Sequence, residues 1–294
     1  MTAAQDAGLD GVAIGRLLVS GSDQPGIVAA VAAVLGRIGA NIVSLDQYST
    51  HPQGGRFYQR TEFHLPALIE RRHELSGTLD AELCDRMGLQ WRLTQAARPK
   101  RVAIFVSKAD HCLLDLLWRR RRGELAMTVP VVISNHPDLA DDVRRFGVPF
   151  VHVPVVRDAK QRAEKEQLNL LKGNIDVLVL ARYMQILSSD FLAELEVPVI
   201  NIHHSFLPAF IGAGPYQRAK ERGVKLVGAT AHYVTEELDQ GPIIEQDVVR
   251  VTHRDTAEEL QRLGANVERQ VLSRAVEWHC DDRVFRDGNE TVVF

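Results

Sequence analysis

Cysteine is scarce in this chain of 294 residues, and its three copies stand far apart. Cys84, Cys112 and Cys280 form no CxxC pair. Disulfide frameworks need an even number of cysteines, and cysteine-based zinc sites need closely spaced ones, so the pattern excludes both classes. We therefore expect reduced thiols and a cytoplasmic location.

Long apolar runs and an excess of one charge are also missing. The longest apolar run, 27–35, has nine residues, whereas a membrane-spanning helix needs about 20. The first twelve residues carry two aspartates and no basic segment, so no signal peptide is expected. A net charge of −3 argues against a nucleic-acid-binding domain. With 45% apolar and 25% charged residues, the composition is typical of a globular protein, and we expect neither membrane nor nucleic-acid partners.

The first part of the chain, residues 14–95, alternates short strand and helix patterns. A helix is indicated where Pro25 and Gly26 open an apolar stretch that Gly39 ends. In chain order the predicted elements are a strand at 16–20, a helix at 27–38, strands at 41–49 and 56–65, a helix at 67–87 and a strand at 90–94. This βαββαβ order predicts a ferredoxin-like domain.

The second part, residues 100–294, follows a Pro-containing linker at 96–100 and has a different pattern. Its strands are continuous apolar runs, which is typical of a mostly parallel sheet with helices on both faces, a Rossmann-like α/β fold. The predicted strands are 102–106, 129–133, 177–180 and 197–200, and the predicted helices are 113–122, 139–146, 159–171 and 256–277. The glycines at 212 and 214 lack the third glycine of a dinucleotide loop, and we expect no helix to begin there.

A pair of polar side chains directly follows the strand predicted at 197–200. In an extended segment residues i and i+2 share a face, so Asn201 and His203 are expected to point together while His204 points away. Ligands of open α/β sheets bind at the carboxyl ends of strands. An amide and an imidazole there suit the polarisation of a carbonyl and proton transfer. The alternative is that both side chains only cap the strand. Since no HExxH motif or carboxylate triad accompanies the histidines, we expect no metal.

Two clusters of charged residues have simpler interpretations. Glu236, Glu237 and Asp239 lie in a loop before Gly241 and Pro242, where solvated charges are common. Asp239 stands at the entry to a further strand and could face the Asn201 and His203 pair. The basic run 119–122 wraps a whole helical turn, so it cannot form one basic face, and we interpret it as a solvated or inter-domain helix end.

Three sequence blocks occur in a distinctive order. They are LARYMQIL at 180–187, NIH followed by SFLP at 201–208, and DQGP at 239–242. Together they resemble the signature of the folate-dependent formyltransferases. The resemblance implies that Asn201, His203 and Asp239 are catalytic, with Asp239 beside His203 and favouring its charged form. It also implies a set of substrate-binding residues, namely Met184, Gln185, Ile186, Leu187, Val234, Glu236 and Gly241.

The first part of the chain carries two further blocks, DQPGI at 23–27 and GANI at 39–42, which resemble an ACT domain. An ACT domain in front of a formyltransferase-type domain, with SKADHCLLDLL at 107–117, resembles the formyltetrahydrofolate deformylases over residues 14–294. This resemblance implies hydrolysis of 10-formyltetrahydrofolate to formate and tetrahydrofolate, a reaction of one-carbon metabolism and purine synthesis. It implies a folate substrate and no cofactor.

The segment after the first predicted strand of the second part bears on the formyl acceptor. Glycinamide ribonucleotide transformylases present a glycine-rich loop there, which suits a phosphate. Residues 107–112 contain no glycine and include Asp110, so water is expected as the acceptor. The alternatives are a formyltransferase to a small amine and a non-catalytic regulatory protein that responds to folate or amino acids.

The ACT-like part predicts a small amino-acid effector and a homo-oligomer. Ser22 or Asp23 can cap the helix that begins near Pro25, which leaves backbone N–H groups at Gly26 free for a carboxylate. Asn41 could receive the polar groups of the same ligand. A four-stranded sheet with one open face and exposed edges favours pairing with a second copy. The alternative is a purely structural dimerisation domain.

Overall fold

The computed structural model describes residues 13–51, 53–156, 159–208 and 215–294. The chain divides into two compact units. The first contains the residues up to Pro99 together with Asp281–Phe285 and Phe294, and the second contains Lys100–Cys280 and Arg286–Val293. The domain limits 14–95 and 100–294 stay a prediction. No helix in the described ranges has the length and the apolar composition needed to cross a membrane.

The first unit is an antiparallel sheet with two helical segments, and the predicted ferredoxin-like βαββαβ class is confirmed. Its strands lie in the order β2-β3-β1-β4. In chain order the elements are β1 (Ile14–Ser22), α1 (Ile27–Arg37), β2 (Asn41–Ser49), β3 (Arg56–His64), α2 (Arg72–Leu79), a π-helical turn (Asp80–Asp85) and β4 (Gln90–Gln95).

One face of this sheet packs against the helices. Burying a large aliphatic or aromatic side chain contributes about 1.5–3 kcal/mol, so this cluster is the main stabilising element of the unit. It includes Leu17, Val19, Val31, Val34, Leu35, Phe57, Phe63, Leu75, Leu79 and Leu83. The other face is not open as predicted, because Asp281–Phe285 belongs to the same unit and covers part of it. The ring of Phe285 lies 5.5 Å from that of Tyr58, and Arg60 is 6% exposed and hydrogen-bonds the Asp281 and Asp282 carbonyls.

The second helix of the first unit is shorter than predicted. The expected range was 67–87, whereas α2 covers Arg72–Leu79 and continues as the π-helical turn to Asp85. The backbone of Ala67 has a φ of 56°, which an α-helix cannot contain. The apolar periodicity therefore extends further than the regular helix.

The second unit is an α/β domain whose sheet is mostly parallel, which confirms the Rossmann-like class. The strand order is β12-β11-β10-β9-β5-β7-β8, with β6 paired to β5. Its strands are β5 (Lys100–Val106), β6 (Met127–Thr128), β7 (Val132–Ser134), β8 (Phe150–His152), β9 (Val177–Leu180), β10 (Val199–His203), β11 (Leu226–Tyr233) and β12 (Ile243–Arg250). Only the pairings of β11 with β10 and with β12 are antiparallel among these described strands.

Helices cover this sheet and connect its strands. They are α3 (His111–Arg121), α4 (Ala140–Arg145), α5 (Lys160–Leu171), α6 (Ser189–Leu195), α7 (Pro215–Arg222) and the 24-residue α8 (Ala257–Cys280). Near the carboxyl terminus, β13 (Val284–Asp287) pairs with β14 (Glu290–Val293). The basic run at 119–122 closes α3, where Arg119 pairs with Asp115 at 2.8 Å.

Proline accounts for two shifted strands and for one helix that was not predicted. Strand β7 starts after Pro130 and β10 starts after Pro198, since proline cannot donate to a strand ladder. The prediction that no helix begins after the glycines at 212 and 214 is wrong, because α7 begins at Pro215. Proline suits the first helical turn, whose backbone N–H groups have no partner within the helix. Both glycines themselves lie outside the described residues.

The connections of the parallel strands define where a ligand binds. From β5 the chain proceeds outward through β7 to β8, and it then returns to place β9 and β10 on the other side of β5. Ligands of open α/β sheets bind at such a reversal, outside the carboxyl ends of the strands. In this unit that place is formed by the segments after β5, β9 and β10.

Two helical glycines test how tightly α8 packs. An added Cβ at Gly264 would lie 2.0 Å from the Tyr216 hydroxyl, while one at Gly77 in α2 meets nothing within 4 Å. Gly77→Ala is expected to stabilise the protein by about 0.5–1 kcal/mol. Gly264→Ala is expected to lower the melting temperature although alanine favours helices, because Tyr216 must move away from Glu268. Thermal unfolding followed by circular dichroism compares the two variants. A similar rise of the melting temperature in both would contradict the close contact of Gly264 with Tyr216.

Candidate active site

Asn201 and His203 lie at the carboxyl end of β10 and point to the same side. Strand β10 is parallel to β9 and antiparallel to β11, and its register places Asn201 opposite His232. His203 is 7% exposed and His232 is 2% exposed. The sheet therefore brings together the two predicted side chains and a histidine that the sequence analysis did not single out.

The Asn201 amide is held by His232. Nδ1 of His232 lies 3.0 Å from the carbonyl oxygen of Tyr233, which can only accept, so Nδ1 carries a proton. Burial lowers the pKa of His232, which favours the neutral ring. Nε2 then accepts from Nδ2 of Asn201 at 3.2 Å. This contact orients the amide group and leaves its second N–H free to donate.

Asp239 faces the same group from the loop between β11 and β12. Its Oδ1 lies 3.4 Å from Nδ1 of His203 and 3.7 Å from Nε2 of His232. The side chains of His203 and Asp239 are 9% and 10% exposed. The contact with His203 lowers the pKa of Asp239 below its usual value of 3.8, and burial opposes this effect. Asp239 is thus a carboxylate, and the other ring nitrogen of His203, Nε2, is buried without a hydrogen-bond partner in the described structure.

A cavity of about 340 Å³ opens beside these three side chains. Its walls are the segment after β9, the end of β10 and the loop after β11. The lining residues are Leu180, Arg182, Tyr183, Met184, Gln185, Ile186, Leu187, Asn201, Ile202, His203, His204, His232, Val234, Thr235, Glu236, Leu238 and Asp239. Met184 and Ile186 are 57% and 61% exposed, so the cavity presents an apolar wall that the protein itself does not cover.

Nearly all the predicted substrate-binding residues line this cavity, but Gly241 does not. Gly241 lines a separate cavity of about 420 Å³, which has Asp239 in common with the first. A Cβ at Gly241 would lie 1.8 Å from the carbonyl oxygen of Tyr233. Glycine is therefore required at this position so that the loop can pass over the end of β11 and carry Asp239 inward.

The segment after β9 is fixed by Ser107, the first residue after β5. The Ser107 hydroxyl donates to Oδ1 of Asn135 at 2.7 Å and accepts from the backbone N–H of Met184 at 2.9 Å. Arg182 in the same segment has a φ of 62°. This left-handed residue turns the chain sharply, so Met184–Leu187 lies along the cavity instead of continuing the strand.

A second polar group adjoins the cavity and was not predicted. Glu268 on α8 accepts from the Tyr216 hydroxyl at 2.6 Å, hydrogen-bonds Nε2 of His111 at 2.8 Å and lies 3.3 Å from Nε of Arg182. Burial alone would raise the pKa of Glu268, but the His111 hydrogen bond and the Arg182 charge outweigh it and lower the pKa to about 2. His204 lies between this cluster and His203 and lines the same cavity, so the prediction that it points away is wrong, because the strand alternation ends at His203.

Three side chains of this region could supply metal ligands. The donor atoms of His111, Cys112 and Glu268 lie within 4.8 Å of one another. Both Glu268 oxygens already accept hydrogen bonds, and Arg182 lies beside them. Burial raises the pKa of Cys112, which keeps the thiol protonated and makes it a poor ligand. The donor set therefore fits a hydrogen-bonded cluster better than a metal centre.

The predicted effector residues of the first unit do not come together within one chain. Gly26 is the N-cap of α1 with a φ of 92° and receives no side-chain cap, so the expected cap by Ser22 or Asp23 is wrong. The Asp23 carboxylate instead accepts from the Ser49 hydroxyl. Asn41 begins β2, beyond the opposite end of α1. Helix α1 is about 16 Å long, and Asn41 pairs with His64 opposite Ile14, at the end of β1 remote from Gly26, so the two residues are too far apart for one small ligand.

Comparison with known proteins first defines the class. Residues 100–276 match the formyl transferase family and residues 15–76 match the ACT domain. The crystal structure of glycinamide ribonucleotide transformylase 1 from Symbiobacterium toebii is similar with a TM-score of 0.62 and 32% identity, over 67% of this chain and 95% of that one. The class is thus a formyl transferase domain preceded by an ACT domain.

Two relatives resemble the chain over almost its whole length. The formyltetrahydrofolate deformylase of Mycobacterium tuberculosis is 63% identical over 281 residues, 96% of this chain and 91% of that protein. The crystal structure of a formyltetrahydrofolate deformylase from Pseudomonas syringae has a TM-score of 0.90 and 44% identity, over 99% of this chain and 97% of that one. The chain belongs to the formyltetrahydrofolate deformylase family.

Replacing Ser107 tests how the cavity wall is fixed. Ser107→Ala leaves the Met184 N–H without its acceptor, and loss of such a hydrogen bond costs about 0.5–1.5 kcal/mol. We expect faster hydrogen exchange at the Met184 amide, measured by NMR or mass spectrometry. Ser189→Ala, an exposed serine at the start of α6, is the matched control and should leave that exchange unchanged. An unaltered Met184 exchange rate in Ser107→Ala would mean that the wall is held by other contacts.

Proposed function

We propose that this chain hydrolyses 10-formyltetrahydrofolate to formate and tetrahydrofolate, with Asn201, His203 and Asp239 as the catalytic residues. The observation that carries the proposal is the buried His203–Asp239 contact beside the Asn201 amide, at the edge of a cavity with an uncovered apolar wall. Membership of the deformylase family supplies the reaction, and the geometry supplies a role for each residue. We propose a cytoplasmic enzyme that needs no cofactor besides its folate substrate.

The cavity suits the flat pterin ring of a folate. Met184, Ile186 and Leu187 form an apolar wall, and Val234 faces them from the other segment. Small-molecule sites are mostly apolar, with a few polar groups that fix the orientation of the ligand. Backbone groups of Gln185 and Glu236 on the two segments can supply these polar contacts. Bound in this way, the folate directs its N10-formyl group toward the end of β10.

The formyl oxygen gains negative charge when the carbonyl carbon is attacked. The free N–H of Asn201 can donate to this oxygen. When His203 carries both ring protons, it donates through Nδ1 to Asp239 and through its otherwise unpartnered Nε2 to the substrate. Loss of one such donor typically reduces the rate by about 10²–10³-fold. These two donors form the proposed oxyanion site.

The carboxylate of Asp239 lies where it can transfer protons during the reaction. Asp239 is ionised at neutral pH, and its position beside His203 and Asn201 lets it accept a proton from the attacking water as that water bonds to carbon. The water oxygen bonds to the formyl carbon while the carbonyl electron pair moves to oxygen. The proton then passes from Asp239 to N10 as the C–N bond breaks. Formic acid leaves and ionises, and tetrahydrofolate is released.

The structure around β5 favours water over a phosphorylated amine as the acceptor. Residues 107–112 contain no glycine, and Ser107 and His111 are already hydrogen-bonded to Asn135 and Glu268. These two side chains are therefore not free to bind a phosphate, and the segment has no glycine that would let its backbone wrap closely around one. A formyltransferase to a small amine is the second candidate, because the transformylase of Symbiobacterium toebii has the same fold.

The Asp239→Asn variant tests the proposed mechanism. The amide fits the same space but cannot take up a proton, so we expect formate release to fall by about 10³-fold or more. Binding of a folate analogue with carbon in place of N10 should change less than about threefold. In Asn201→Ala the rate of formate release should fall by about 10²–10³-fold. In the double variant the rate should fall by less than the product of the two single effects, because the residues act together.

The matched control is Asp138→Asn, an exposed aspartate outside the cavity, which should release formate at the wild-type rate. Near-wild-type turnover by Asp239→Asn would remove this residue from the mechanism. A wild-type enzyme that releases formate only after an amine is added would favour the second candidate function.

We also propose that the ACT domain binds a small amino acid between two copies of the chain. Gly26 leaves open space at the start of α1, where helical N–H groups can receive a carboxylate. Since Asn41 is too far from Gly26 within one chain, a second copy would have to supply it. The edge strand β2 exposes Val43 by 59% and Tyr48 by 47%, and apolar edges of this kind favour pairing.

Calorimetric titration tests this effector site. Glycine, methionine and other small amino acids are titrated into the full chain, and its mass is measured by sedimentation. We expect one of them to bind and to change the rate of formate release, and Gly26→Val to abolish both effects because a side chain would fill the site. If none binds, the effector proposal fails. If the chain also sediments as a monomer, the proposal of an oligomer fails with it.

A further inference from the structure

The histidine next to His203 faces the same cavity but has no part in the mechanism above. His204 lines the cavity together with Asn201, His203 and Asp239. Its ring centre is 5.3 Å from that of His203, and the two planes are inclined by 31°. Within the described ranges no side chain or backbone group hydrogen-bonds the His204 ring. A polar group at the reaction site therefore remains available.

The position of His204 is set by the cluster around Glu268. The Tyr216 ring lies 6.3 Å from the His204 ring, and the Tyr216 hydroxyl is held by Glu268 at 2.6 Å. Gly264 on α8 makes room for this hydroxyl. Arg182 and His111 hold Glu268 from the other side. His204 is thus packed between His203 and a fixed tyrosine, and its ring has little freedom to turn away.

This environment keeps the His204 ring uncharged. Burial and the charge of Arg182 lower its pKa from 6.5 to about 4. A neutral imidazole has one ring nitrogen with a proton and one with a free lone pair. At neutral pH the His204 ring therefore offers an acceptor, beside the donor proposed above for the His203 ring.

We propose that His204 is a further catalytic residue, which binds the attacking water through the free lone pair of its ring. This inference rests on the proposed hydrolysis. His204 accepts a hydrogen bond from one O–H of the water, and Asp239 accepts the other. The water oxygen then forms its bond to the formyl carbon, and the proton of the water goes to Asp239 and later to N10. The C–N bond breaks, formic acid leaves, and His204 stays neutral throughout.

The arrangement explains how neighbouring histidines can have opposite roles. His203 sits at the last position of β10 and points to Asp239. His204 lies just after the strand, so its side chain does not have to point to the opposite face of the sheet. A water held by two acceptors presents a lone pair to the formyl carbon. An amine acceptor would not need the His204 contact in the same way, so His204 favours water as the acceptor.

Replacement of His204 by leucine and by glutamine tests the proposal. His204→Leu removes the acceptor, and we expect formate release to fall about 10- to 100-fold. His204→Gln keeps an acceptor oxygen and should recover at least part of the loss. Binding of the carbon-10 folate analogue should stay within threefold of wild type in both variants. His253→Leu, at an exposed histidine after β12, is the matched control.

A second nucleophile separates water binding from a structural role. With hydroxylamine present, the enzyme can form formylhydroxamate as well as formate. In His204→Leu we expect the ratio of formylhydroxamate to formate to rise at least about tenfold, because hydroxylamine does not depend on a bound water. If both products fall in equal proportion, or if formate release stays within twofold of wild type, the proposal is wrong.

Two control results separate a failure of the proposed function from a failure of the role proposed for His204. If wild-type enzyme forms no formate, the proposed function fails before the role of His204 arises. If His204→Leu does not fold by circular dichroism, His204→Gln decides the question. Formate release within about tenfold of wild type then supports the proposal, and a loss of more than about 100-fold with intact analogue binding overturns it.

Discussion

The contact between His203 and Asp239 is the constraint on which the rest of the site depends. Two side chains that are each about nine-tenths buried meet at 3.4 Å, and a buried carboxylate such as Asp239 needs a polar partner of this kind. Several features exist to maintain this contact. Asp239 adopts a left-handed backbone with a φ of 57°, and Gly241 lets the loop pass over the Tyr233 carbonyl. A side chain at position 241 would displace the carboxylate.

The same sheet edge organises the groups around that pair. The antiparallel register of β10 and β11 places His232 opposite Asn201 and fixes the amide. The short hydrogen bonds of Ser107 hold the segment after β9, which forms the apolar wall. Glu268 connects α3, α7 and α8 through His111 and Tyr216. Donors, acceptors and an apolar wall therefore meet at the carboxyl ends of β9 and β10, where the topology favours ligand binding.

The sequence predicts the fold well where a pattern is local. Strand β9 has the predicted limits and α5 differs from prediction by one residue, because continuous apolar runs and helical periodicity depend only on neighbouring residues. The alternation of side chains along a strand predicts that Asn201 and His203 point to the same side. It does not predict the direction of His204, because the strand ends at His203. His232 depends on the register of β11 against β10, which no local pattern encodes. The sequence predicted Gly241 as a substrate-binding residue. The structure gives another reason for glycine there, which is the close approach of the backbone to the Tyr233 carbonyl.

The central claim is that water accepts the formyl group, and an isotope experiment tests it most directly. Purified enzyme is given 10-formyltetrahydrofolate in water enriched in oxygen-18, without any amine, and the formate is analysed by mass spectrometry. The account predicts steady release of formate with one labelled oxygen per molecule, in equal amount to the tetrahydrofolate formed. Formate that appears only after an amine is added, or that carries no label, would contradict it.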